Sequence, residues 1–474
     1  MARFIVEGAI MQKAFEELYE ALDGVVEMGR FNPAVIQAMV DNKDSIISWI
    51  QSSAFQEKYA KHPYPPLMNP EMINYEKMPP RLAWELNLPL PYIDMVFLRS
   101  HGCGSTGLTA FLKKCGGVEI YCEEFYDVDA RDLYVSAFTR IINAKAAGGG
   151  AFIYLLVSDY AFRGDYQKYF ALIPQKPAIN LVRDPVEMLK NYICHRRQVD
   201  FGNLFNLTCS PSEVLKNRVG YGFFMNIKSL PVVDSLPFWI HDKMMCFHDS
   251  QLIKSCINIK DIYQIDMKEI IGDKARDTMV KLAKYFKIKI PKDCDKEFFA
   301  RRVADFQFLL PLTLYVHPLD FQKLKQGFTN DLSSCNLKGG IPITITTCYE
   351  EQKDKKDITK IFFKESINPV VILVEEQYIQ ELSQNVNLQK LLKEYLGQFV
   401  KALFAKKEEE RAKILTPDDI LEYFQNRKFL RRKFEQALEQ HLEYLQQKRP
   451  DIIKSWKYYA KFKAMCAEDK SDMK

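Results

Sequence analysis

MVFLRSHGCGSTGLTAFLKKCGG, residues 95–117, passes from a short apolar run through a glycine-rich turn into an amphipathic segment. That order builds an anion site, because backbone N–H groups converge at a helix start, where the helix dipole is positive. Residues 102–109, GCGSTGLT, follow the nucleotide-loop pattern GxxxxGK(S/T) except at one position, where Leu108 stands in place of the lysine. Gly102, Gly104 and Gly107 permit positive φ and close approach of a ligand, so a tight anion loop is expected. A nucleotide-dependent kinase is disfavoured, since neither the loop lysine nor a strand of magnesium ligands accompanies the turn.

Outward from this loop, short apolar runs alternate with longer amphipathic ones between residues 93 and 291. IDMVFL (93–98), VEIYCE (118–123), AFIYLLV (151–157), AINLV (178–182) and CINIKDIYQI (256–265) read as strands. Segments 107–115, 129–147, 185–197 and 273–286 read as helices. The alternation predicts an α/β core, a parallel sheet flanked by helices, with ligands at the carboxyl ends of its strands. Residues 1–92 read as a helical extension followed by a proline-rich wrap over 61–92, where proline excludes a helix interior or central strand. Residues 292–474 form an α+β, mainly helical region: LTLYV (312–316), IPITITT (341–347) and PVVILV (369–374), then helices from about 376 to 465. Thr416 and Pro417 mark one of the helix starts. The charged runs KKEEERAK (406–413) and NRKFLRRKF (426–434) read as solvated helix faces.

With 47% apolar and 27% charged residues over 474 positions, the composition is that of a folded protein and not of a disordered one. A net charge of +5 gives no electrostatic case for nucleic acid as a partner. The eleven cysteines form no CxxC pair and no zinc-ligand spacing, which points to reduced thiols, a cytoplasmic location and no metal. The opening residues lack a secretory pattern. No run approaches the ~18 apolar residues of a membrane span, so a soluble chain is expected, with peripheral membrane contact left open.

A second segment, AINLVRDPVEMLKNYICHRR (178–197), changes how the first is understood. Asp184 can cap a helix, Pro185 suits its first turn, and Glu187 stands where a capping box needs an acid. Arg183 then lies between strand end and helix start, where a guanidinium can fork onto a phosphate. A strand, Gly/Ser/Thr loop and helix, followed some 75 residues later by a strand, Arg-Asp-Pro and helix, resembles the sulfotransferase superfamily. The loop is most similar to that of carbohydrate sulfotransferases of the galactose 3-O type, FLKTHKxxSST, through Phe97-Leu98-Arg99-Ser100-His101 and Gly104-Ser105-Thr106. The likeness covers about 93–291. Gly102 departs from it, standing where the family has a catalytic lysine or arginine.

The resemblance implies a P-loop-like fold and transfer of a sulfuryl group from 3′-phosphoadenosine 5′-phosphosulfate to a carbohydrate hydroxyl. It implies that Arg99 and the loop Gly102, Cys103, Gly104, Ser105, Thr106 and Gly107 hold the 5′-phosphosulfate. Arg183 and Asn191 would hold the 3′-phosphate, Asn191 replacing the family's serine in R(N/D)Pxxxxx(S). Asp159, standing where these enzymes often carry a histidine base, or His101 would take the acceptor proton, and Arg99 would supply the charge missing at 102. The bland alternatives are a helix-flank salt bridge for Arg183 and a strand-end cap for Asp159. Gly102 also favours a different class, a nucleotide- or glycan-binding protein that keeps the fold without transfer chemistry. His195, His241 and His248 are further candidates for a pocket wall, and the aromatic stretch 220–240 for an acceptor lid or core packing.

Overall fold

The computed structural model of the chain describes residues 2–121, 128–148, 150–158, 162–199, 204–222, 227–240, 258–259, 261–317, 320, 327–329, 340–350 and 352–471. Five strands form a parallel sheet: β1 (Met95–Arg99), β2 (Gly117–Ile120), β3 (Phe152–Ser158), β4 (Ala178–Val182) and β5 (Ile262–Asp266). Their spatial order is β5-β4-β1-β3-β2. The α/β core expected from the alternating pattern is therefore present, and each of its five strands overlaps one of the five apolar runs read from the sequence.

β1 sits at the centre, with Phe97 beside Leu156 of β3 on one side and Ile179 of β4 on the other. Successive side chains point to opposite faces of a strand, and here that period decides which core each residue joins. Met95, Phe97, Ile179 and Leu181 enter a cluster with α1 (Ser105–Lys114), α2 (Pro185–Ile193) and the helix Lys274–Phe286. Val96, Leu98, Ile153 and Leu155 enter the opposite cluster, covered by the N-terminal helices and the helix Ala130–Ala147. Both faces are buried, so the strands read as continuous apolar runs.

A second sheet, mostly antiparallel, contains Lys355–Asp357, Val370–Glu375, Ile341–Thr347, Leu312–Val316 and Leu204–Asn206 in that spatial order. The long helix Val386–Ala412 packs on it. The two cores interleave along the chain. Leu204–Asn206 pairs in parallel with Leu312–Val316, while Ile420, Phe434, Trp456 and Phe462 return to the cluster under the first sheet.

Three local expectations need correction. Glu187 does not complete a capping box at Asp184; its carboxylate accepts from Arg183 instead. The charged runs are not wholly solvated: Glu410 is buried and paired with the half-buried Lys406 and Lys413, and Arg431 is buried, donating to the carbonyls of Phe424 and Gln425. Cys209 is disulfide-bonded, so the thiols are not all reduced. Thr416 does cap as expected, in a reciprocal box with Asp419. No helix among the described residues is long and apolar enough to cross a membrane.

Candidate functional site

β1 and β4 are neighbours whose onward connections diverge, β1 leading through α1 to β2 at one edge and β4 leading to β5 at the other. In open parallel sheets such a divergence leaves a crevice beyond the strand ends, which is where ligands bind. Residues 100–104 and the Arg183-Asp184 turn follow these two strand ends. A cavity of about 560 Å³ lies here.

The loop's shape follows from two glycines. Gly102 and Gly104 have φ of +73° and +104°. A Cβ at 102 would stand 3.3 Å from the Met188 carbonyl oxygen and from the Asn191 Cβ, and one at 104 would stand 2.1 Å from the Met267 Sδ. The positive φ at both positions therefore favours glycine, and the close neighbours add to that preference. Gly107 differs, lying inside α1 with nothing within 4 Å of its missing Cβ. α1 begins with no side-chain cap. The N–H groups of Ser105 and Thr106 have no hydrogen-bond acceptor among the described residues, which leaves them available to an anion.

Of the loop residues expected to bind ligand, Gly102, Gly104, Ser105, Thr106 and Gly107 line the cavity, as do Arg99 and His101. Cys103 does not; it is fully buried in the core beneath the loop. The Arg99 guanidinium lies over the Tyr121 ring, 5.0 Å from its centre, and donates to the Tyr121 hydroxyl at 3.4 Å. Arg183 and Asn191 also line the cavity. The bland reading of Arg183 is present alongside the functional one, with its Nε 2.7 Å from the Glu187 carboxylate. Asn191 spends one amide proton on the loop, donating to the Gly102 carbonyl at 2.6 Å. Asp159, His241 and His248 lie outside the described residues. In the aromatic stretch, Trp239 is buried and stacks on Tyr192 at 5.0 Å, so there the core-packing alternative is the one seen.

Sequence reasoning missed the opposite wall. Arg301, Arg302 and Phe308 come from the C-terminal third, Met267 from the turn after β5, and Lys190 and Arg196 from either side of the α2 end. Six Lys or Arg side chains line the cavity, and no aspartate or glutamate does among the described residues. Acids outside the lining answer some of these charges: Glu297 lies 2.9 Å from Arg301 and Asp305 3.6 Å from Arg302. Lys190 and Arg196 have no such carboxylate among the described residues; Arg196 instead donates to the Ala304 carbonyl at 3.4 Å and lies 5.0 Å from the Phe308 ring centre.

Burial and neighbouring cations shift these groups together. Burial, with Arg183 next in weight, pushes the Lys190 amine down to about 8. Burial first and Arg302 second lower Arg196 from its ordinary value. Burial and then His101 push His195 down to about 4. A concave, partly dehydrated site lined by cations that repel one another is arranged for a ligand with several negative charges.

One further contact ties the site to the far end of the described chain. The buried Asp184 carboxylate accepts from the Val186 N–H of α2 and from the N–H groups of Tyr458 and Tyr459, at 2.9 and 3.1 Å, at the start of α3 (Lys457–Ser471). Burial raises its pKa while these three N–H donors pull it back.

A family described as "Protein of unknown function (DUF2972)" matches residues 263–468, less than half of the chain. The matched stretch begins within β5 and includes Met267 and the 300–308 wall, whereas the loop, α1 and α2 precede it. No curated protein and no solved structure matches.

Proposed function

We propose that the cavity binds 3′-phosphoadenosine 5′-phosphosulfate and that the protein transfers its sulfuryl group to a hydroxyl of a carbohydrate. The observation that carries this reading is the convergence of the glycine loop and Arg183, 76 and more residues apart in sequence, on one cavity lined by cations and free of acids among the described residues. The resemblance supplies the donor and the acceptor class. The acceptor oxygen attacks sulfur, the bond from sulfur to the bridging phosphate oxygen breaks, and 3′-phosphoadenosine 5′-phosphate leaves. Charge gathers on the leaving and non-bridging oxygens, where the first-turn N–H groups of α1 and the cationic side chains stabilise it. The acceptor proton passes to His101 or Asp159.

A second reading, a nucleotide- or glycan-binding protein without transfer activity, is favoured by Gly102, where the family's lysine would be strained by the positive φ and tightly packed against α2. Calorimetric titration with 3′-phosphoadenosine 5′-phosphate and with ATP tests the part common to both. Preference for the former, weakened ~10- to 100-fold in Arg183→Ala, is the expected result; binding of neither ligand overturns both readings. Transfer of labelled sulfate to a glycan then separates enzyme from binder.

A further inference from the structure

The loop carries no lysine, and position 102 cannot accept one without moving α2, because its φ is +73° and its Cβ would press on the Met188 carbonyl at 3.3 Å. The chain brings a lysine to the same cavity from α2. Asn191 clamps its turn of α2 to the Gly102 carbonyl, and Lys190, its neighbour on that turn, lines the cavity. A four-carbon stem on a helix pinned against the loop has the reach and freedom that a loop side chain would have had. Lys190 also makes no hydrogen bond or ion pair through its amine among the described residues.

We propose that Lys190 is the cation of this anion loop, contacting the 5′-phosphosulfate of the bound donor from the facing helix in place of a lysine at 102. The identity of that anion rests on the proposed function; the anion contact itself does not. Around the amine stand Arg183 at the end of β4, Glu187 and Cys194 on and just beyond α2, and Arg302 from the opposite wall. Arg196, His101 and His195 line the same cavity. Glu187 is the one acid of this group, and it is engaged by Arg183.

An amine half-deprotonated near pH 8 is drawn back to its charged form by a bound anion, so binding takes a proton from the buffer. The test is titration calorimetry of the full chain at pH 8, in buffers of different ionisation enthalpy, with 3′-phosphoadenosine 5′-phosphate and with inorganic pyrophosphate. The expected result is uptake of up to about half a proton per ligand beyond that of Lys190→Arg, whose guanidinium stays charged. Affinity should fall by up to about tenfold per pH unit above 8 in the natural protein and stay level in Lys190→Arg. Lys190→Met should bind roughly 10- to 100-fold more weakly, without uptake. Equal uptake in all three proteins, or unchanged affinity in Lys190→Met, overturns the assignment, as does failure of both ligands to bind. Pyrophosphate binding with Lys190-dependent uptake but no nucleotide binding supports Lys190 and removes only the nucleotide reading.

Discussion

His195 shows how a single residue records the character of the cavity. Its imidazole is half-buried beside His101, Arg196 and Arg197, and is held neutral down to about pH 4. The unfolded chain binds that proton near pH 6.5, so between about 6.5 and 4 the unfolded state carries more protons and stability is lost as pH falls. The loss attributable to this group is at most ~3 kcal/mol. Urea unfolding of the natural protein should therefore show a midpoint that drops from pH 7 to 4.5, and His195→Gln should show a shallower drop. Gly102 and Gly104 were legible as loop residues because a turn pattern needs only neighbours. Lys190 was not, since its position depends on a clamp to a carbonyl 89 residues away.

At the scale of elements, Asp184 starts two helices with one carboxylate. Its role at α2 was readable from Asp-Pro ahead of an apolar helical run. Its second role was not, because nothing local announces that Tyr458 and Tyr459 will arrive at the same oxygen. Capping side chains are worth about 0.5–2 kcal/mol each, and buried N–H groups left without an acceptor add to the loss. Asp184→Ala is expected to cost about 1–4 kcal/mol in denaturant unfolding, and to raise amide exchange at the start of α3 as well as at α2. Exchange raised at α2 alone would show that α3 is held by apolar packing and not by the carboxylate.

For the molecule as a whole, the first sheet was legible because its strands are long apolar runs spaced by amphipathic helices. The division of labour was not. Leu204–Asn206 is a three-residue strand with no periodic signal, yet it joins the second sheet, and the helices beyond Pro417 return to the first. A boundary drawn at 291 therefore separates residues that share one core. A chain ending at residue 291 would lose Ile420, Phe434, Trp456 and Phe462 from that core, along with the Arg301 and Arg302 wall. Such a chain should bind an apolar reporter dye strongly and fail to bind pyrophosphate; retention of binding would show that the 300–308 wall contributes nothing to the site.

The bond between Asp184 and Tyr458 also sets a schedule. A ribosome adding about 5–20 residues per second needs roughly 15–55 s to travel the 274 residues separating them. In the later part of that interval the loop, α1 and α2 stand outside the ribosome while the helices beyond Pro417, which return to their core, and the Tyr458 N–H are still to be translated. Until those helices arrive the nascent chain carries a partly uncovered apolar face. Its demand for a chaperone should therefore be greatest in mid-translation and end when α3 emerges.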